Sequence, residues 1–198
     1  MSRAPRRGAR GSRKRRSRPT AAIELVGVEK SYGDARVLGP VDLRIDPGRI
    51  VVLVGHNGSG KSTLLTMIAG VIEPSEGRIR VHGAEPDSVA ARAAVTYLPD
   101  EPVLYDDLSV AEHLEYVAAL HTLADETLPA RLLERLGLAA RADDIPRTLS
   151  RGLRQRAALA VGLCRPFAVV LIDEPFVGLD ADGRRTLVEV IGEARDEG

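Results

Sequence analysis

Apolar positions in this chain follow two periods, and the switches between them mark the elements. Residues 23–28 alternate as a half-buried strand does, and 41–45 reads as a second strand. The turn Asp46-Pro47-Gly48 leads into Arg49-Ile50-Val51-Val52-Leu53-Val54, a β-branched run without alternation. Such a run predicts a strand buried on both faces. Leu64-Leu65-Thr66-Met67-Ile68-Ala69 then reads as a buried helix ending near Gly70. A short strand follows at 78–82, and 93–98 is apolar enough for a core strand, stopped by Pro99.

The next fifty residues change period. Ser109-Val110-Ala111-Glu112 fits a capping box, and Leu114, Val117, Ala118 and Leu120 or His121 continue at helical spacing. Residues 129–136 predict a second helix, closed by Gly137. Ser150 can cap a third, which ends where Pro166 forbids continuation. Val169-Val170-Leu171-Ile172 returns to the buried-strand pattern, and a last helix covers about 182–196. A helical segment thus sits between two core strands of an α/β fold, and no internal repeat is visible.

Two strand ends carry candidate chemistry. Between the run at 49–54 and the helix at 64–69 stands Gly55-His56-Asn57-Gly58-Ser59-Gly60-Lys61-Ser62-Thr63, with the spacing of a phosphate-binding loop. Its glycines let successive N–H groups turn inward onto phosphate oxygens. Lys61 adds a positive charge at the β- and γ-phosphates, and the Ser62 hydroxyl suits magnesium. The plainer alternative is a glycine-rich turn with a surface lysine. The strand at 169–172 ends in Asp173-Glu174-Pro175. Parallel sheets present their strand C-termini to ligands on one side. Asp173 is therefore expected near the magnesium held by Ser62, and Glu174 faces the γ-phosphate, where it orients or activates water.

Composition narrows the class. The chain has 198 residues, 44% hydrophobic and 28% charged, as an ordinary globular protein does. The lone Cys164 has no internal partner and lies in an apolar helical stretch, so packing is expected rather than reactivity. No apolar run approaches the length that spans a bilayer. The zero net charge hides an asymmetry. Of the 28 Lys/Arg, nine lie in residues 1–18, which hold no acid, leaving 19 against 28 acidic residues in the rest. A tail over 1–20 of this composition cannot bury enough surface to fold alone. It suits anionic lipid headgroups or RNA, or has no specific partner.

Further motifs carry a family resemblance. Leu149-Ser150-Arg151-Gly152-Leu153-Arg154-Gln155-Arg156 resembles the signature motif of ATP-binding-cassette (ABC) ATPases, Val177-Gly178-Leu179-Asp180 the loop after their catalytic glutamate, and Tyr97-Leu98-Pro99-Asp100-Glu101-Pro102 the loop that couples nucleotide to a transmembrane partner. Tyr32 matches the adenine-stacking aromatic. The resemblance covers about residues 22–198, in family order. It implies a P-loop NTPase core with an antiparallel β subdomain and a helical subdomain at about 101–165, within one ATP-binding domain over 21–198. It implies ATP and Mg2+ as ligands. The catalytic residues are then Glu174 and Lys61. Tyr32, Gly55, Asn57, Gly58, Ser59, Gly60, Lys61, Ser62, Thr63, Ser150, Gly152 and Asp180 bind nucleotide, and Ser62, Asp173 and Asp100 face the metal. Ser150 in this family caps the γ-phosphate of a second subunit, which implies a homodimer. A transmembrane permease subunit and a cytoplasmic place on the inner face of the plasma membrane follow from the same resemblance, with no specific nucleic acid as partner and the basic tail as a second membrane contact.

Three departures qualify it. Arg151 and Leu153 stand where the family usually has Gly and Gln, a variant that looks like bacterial export-type cassettes. Asp100 replaces the usual Gln; it either approaches the metal or caps its loop. The family's switch histidine follows one further core strand, and none of His56, His82, His113 and His121 fits its position. His113 and His121 are expected to be partly exposed. A C-terminally incomplete ABC exporter ATPase is the expected reading. An ATP-binding regulator with little hydrolysis, or a non-transport ABC ATPase, is the alternative.

Overall fold

The computed structural model describes residues 19–197; the basic tail lies almost wholly outside the described residues. Strand β1 (Ile23–Tyr32) pairs antiparallel with β2 (Ala35–Ile45) on one side and with β3 (Glu76–Val81) on the other. Both strands β1 and β2 run longer than their apolar stretches predict, because the hairpin at Gly33-Asp34 extends the ladder outward through polar residues. Ile23 and Leu25 point into the core with Ile79 and Val81 opposite, whereas Val26 is exposed and Val28 is fully buried. That jump in parity requires a bulge, and the register breaks between Leu25 and Val28. The Asp42 carboxylate accepts the Gly27 N–H at 2.8 Å and fixes the bulge.

A second sheet is a parallel pair, β4 (Val95–Leu98) with β5 (Val169–Ile172). Its two faces feed two cores. Val95, Val169 and Leu171 pack with β1, β3 and helix α1 (Lys61–Ile68). Leu98 packs with the helical cluster, and half-buried Val170 and Ile172 pack against that cluster. Burial on both faces explains the unbroken apolar pattern of 169–172. The predicted strand at 93–98 is shorter, because helix α2 (Val89–Ala94), capped by Ser88, takes its first two residues.

The helical cluster comprises α3 (Val110–His121), α4 (Leu128–Arg135), α5 (Arg151–Leu163) and α6 (Ala181–Glu197) around Leu114, Leu138, Leu159 and Leu187. The capping box of α3 forms as its sequence predicts, Ser109 and Glu112 exchanging both hydrogen bonds. Cys164 is fully buried, and burial pushes its thiol up to about 11. Helix α5 lies directly on β4. A Cβ at Gly162 would stand 2.7 Å from Leu98 Cδ2 and 3.1 Å from Thr96 Cγ2, so a larger residue there must displace the Leu98 side chain.

Two expectations fail. The run at 49–54 does not form a buried strand. It has no ladder partner, and Val52 and Val54 are 76% and 91% exposed. β4 and β5 pair with each other, and no described strand lies alongside 49–54; apolar composition without a ladder leaves the backbone groups unpaired. His113 is not partly exposed but buried at 3%, while His121 on the same helix faces solvent. The His113 ring lies flat against Tyr105 (interplanar angle 28°) and joins the chain on both sides. Its Nε2 accepts the Tyr105 N–H at 2.8 Å, which leaves Nδ1 protonated to donate to Ser109 O at 2.7 Å.

Replacing His113 with alanine orphans the Tyr105 N–H, while Ser109 O keeps the His113 backbone N–H, so His113→Ala should lower the unfolding free energy by about 1–3 kcal/mol in urea melts. The exposed His121→Ala is the control and should stay within about 0.5 kcal/mol of the parent.

Candidate active site

The glycine-rich loop enters α1 without a side-chain cap and without an acid in the first turn. The first N–H groups of that helix are therefore free to meet an anion, and the helix dipole favours negative charge there. Gly58 and Gly60 take φ of +80° and +86°, and Ser59 N–H donates to His56 O, which closes the loop into a cradle. The Lys61 ammonium folds back over the loop, donating to Gly55 O at 3.1 Å and His56 O at 3.3 Å. Carbonyls are weak partners for a full positive charge, so a phosphate entering the cradle competes well for it.

Across from this loop lies the end of β5. Asp173 donates its N–H to Leu98 O and is 5% exposed. Burial, then the Asp173 charge, raises the Tyr97 phenol above its usual range. Glu174 is exposed and holds a left-handed backbone at φ +45°. That conformation strains any residue with a Cβ by about 1–3 kcal/mol, and such strain clusters at functional sites. It turns the carboxylate away from the strand direction and into a cleft of about 480 Å³.

The cleft brings together Asn57, Gly58, Gly60, Lys61, Ser62, Thr63, Asp100 and Glu174. Two further residues line it, Val37 and Val177. Val177 stands within the 177–180 motif and was legible there. Val37 was not: it reaches the cleft because its carbonyl passes 2.9 Å from where a Gly60 Cβ would stand. Ser62 and Asp100 put hard oxygen donors on the cleft lining, the chemistry that magnesium takes.

The remaining expected residues lie off this cleft. Tyr32, at the end of β1, is 55% exposed, with Lys30 Nζ 5.1 Å from its ring centre. Ser150 caps α5, accepting Leu153 N–H at 3.3 Å. A Cβ at Gly152 would stand 2.4 Å from Gly178 O, so the start of α5 touches the loop after Glu174 backbone to backbone. Asp180 caps α6 through Gly183 N–H at 2.7 Å and pairs with Arg156 at 2.8 Å. Its carboxyl is held below the usual range, first by the Gly183 N–H and then by the Arg156 charge. Gly55, Ser59 and Asp173 support the cleft walls without lining them.

Two outcomes follow from this geometry. A depressed carboxyl stabilises the fold fully above its unfolded value of about 3.9, and loses that contribution as pH falls through the lower folded value. Asp180→Asn should therefore flatten the acid limb of stability below about pH 4 in urea melts taken against pH. Glu174→Gly relieves the left-handed strain and should raise the unfolding free energy by about 1 kcal/mol.

Comparison with known proteins identifies the family. The ABC transporter family profile matches residues 38–177. The ABC-type transporter ATP-binding protein EcsA of Bacillus subtilis is 37% identical over 168 residues, covering 82% of this chain and 68% of its own length. The aliphatic sulfonates import ATP-binding protein SsuB 2 of Burkholderia lata is 39% identical over 171 residues, covering 86% of this chain and 62% of its own length. A solved ATP-binding subunit of an ABC transporter superposes with a TM-score of 0.80 at 32% identity, covering 89% of this chain and 76% of its own. The chain thus spans about two thirds of the length of these two curated relatives. Its antiparallel sheet, parallel pair and helical cluster are the P-loop fold of those ATPases, and the chain belongs to the ATP-binding family of ABC transporters.

Proposed function

We propose that this chain binds and hydrolyses ATP for an ABC transporter, coupling closure of an ATPase dimer to a separate membrane subunit. The observation that carries this reading is the convergence of Lys61, Ser62, Thr63 and Glu174 on one cleft from two distant stretches of sequence. The loop N–H groups and Lys61 bind the triphosphate and meet the charge that develops on its γ-phosphoryl group. Glu174 accepts a proton from the attacking water and aims it in line with the bond that breaks. Ser62, Asp173 and Asp100 are the residues that would hold magnesium, which would screen the charge of the triphosphate. Tyr32 offers an aromatic face for adenine.

Ser150, Gly152 and Asp180 stand off the cleft of their own chain. This supports a role toward the nucleotide of a second copy, packed head to tail, as the resemblance implies. The loop at 99–108 suits the permease contact. His113 fixes its far end through Tyr105, so a push on the loop reaches the helical cluster. No described helix is long and apolar enough to cross a membrane. A peripheral place on the cytoplasmic face fits that arrangement.

The Ser150-Arg151-Gly152 variant supports export. Similarity to an importer subunit, 39% identical, supports the opposite direction as a second reading. Transport in vesicles containing the co-purified membrane subunit separates them. Cargo accumulating on the side away from the ATPase means export.

Glu174→Gln should abolish hydrolysis, with about a 10²-fold or greater loss of turnover, while ATP still binds. Lys61→Ala should lose binding as well, by tenfold or more in nucleotide titration. Unchanged turnover in Glu174→Gln overturns the catalytic assignment. Tight binding with no turnover in the parent chain selects the regulator.

A further inference from the structure

We propose that Arg151 is a positioning residue for the nucleotide cleft, cancelling the charge of Asp100 at the cleft wall and tying that wall to α5. The inference rests on the reading that the cleft binds a nucleotide triphosphate. The cleft carries two carboxylates, Asp100 and Glu174, against one lysine, Lys61. A polyanionic ligand is repelled by each unpaired carboxylate within a few ångströms. Arg151 Nη2 stands 3.5 Å from Asp100 Oδ1.

The arginine is held for this task by its surroundings. It is the first residue of α5, directly after the Ser150 cap. Its Cγ lies 3.4 Å from where a Gly178 Cβ would stand, so its stem runs along the loop that carries Glu174. The next residue, Gly152, is pinned against Gly178 O, and Arg156 one turn on pairs with Asp180. One side chain therefore spans two walls of the cleft, the 174–180 loop under its stem and the loop after β4 under its head. Two of the three positions that depart from the family motifs, Asp100 and Arg151, meet in space and compensate each other in charge.

Both partners are about half exposed, so the pair adds little to folding stability. Its effect is read on nucleotide affinity. The test is titration of the whole chain with a fluorescent ATP analogue in EDTA and low salt, which reads the phosphate-to-protein charge balance without magnesium. Arg151→Ala should weaken binding about three- to tenfold, the range expected for one uncompensated charge near the surface. Arg151→Lys should restore most of it. Asp100→Asn in the Arg151→Ala background should restore it too, by removing the charge that Arg151 had masked. The gap between parent and Arg151→Ala should shrink at about 0.5 M salt, where screening acts over a few ångströms. Equal affinity of parent and Arg151→Ala overturns the proposal, as does a defect that Asp100→Asn fails to rescue. A parent chain that binds no ATP analogue overturns the nucleotide reading itself, a result distinct from either.

Discussion

The close approach of α5 to β4 is the constraint on which the rest of this structure depends. Gly162 lets the helix lie on Leu98 and Thr96 with nothing between them. That contact fixes the start of α5 relative to the C-terminal end of the parallel pair. At that start, Gly152 touches Gly178, Arg156 holds Asp180 and Arg151 reaches Asp100. The loop that bears Glu174 is thereby registered against the helical cluster. A bulkier residue at 162 must displace the Leu98 side chain against which this end of the helix rests.

The cleft concentrates charge and strain where the chemistry needs them. The free N-terminus of α1 and Lys61 form the positive side, while Glu174 and Asp100 form the negative side. Only Glu174 among these sits in a left-handed backbone. Its strain is small beside the folding free energy of a domain, which is about 5–15 kcal/mol, so the fold tolerates it. Asp173, one residue earlier, continues the hydrogen bonding to Leu98. Neighbouring carboxylates thus receive different exposures from one bend in the chain.

Local signals were legible where their cause is local. The capping box at Ser109, the cap at Ser150 and the burial of Cys164 depend on a few adjacent residues, and each forms as its pattern predicts. Non-local causes were not legible. The run at 49–54 has the composition of a core strand, yet a strand exists only through its neighbours. His113 carries no mark of burial in sequence, because Tyr105 and Ser109 enclose it only after the loop folds back on α3. The bulge at 26–27 became visible only through the sheet register, which the alternation of 23–28 conceals.

The sequence by itself determined which residues carry the candidate chemistry of this protein. The glycine-rich loop, Lys61, Ser62, Asp173 and Glu174 are recognisable because phosphate and magnesium demand particular groups at particular spacings, whatever encloses them. Tertiary structure alone decided which of the expected residues share a cleft. Lys61 and Glu174 meet although 113 positions apart, Arg151 meets Asp100 across 51, and Ser150 and Asp180 are turned away from their own cleft to cap helices. Such meetings are set by how α5 packs on β4, and packing is a property of surfaces that no linear spacing encodes.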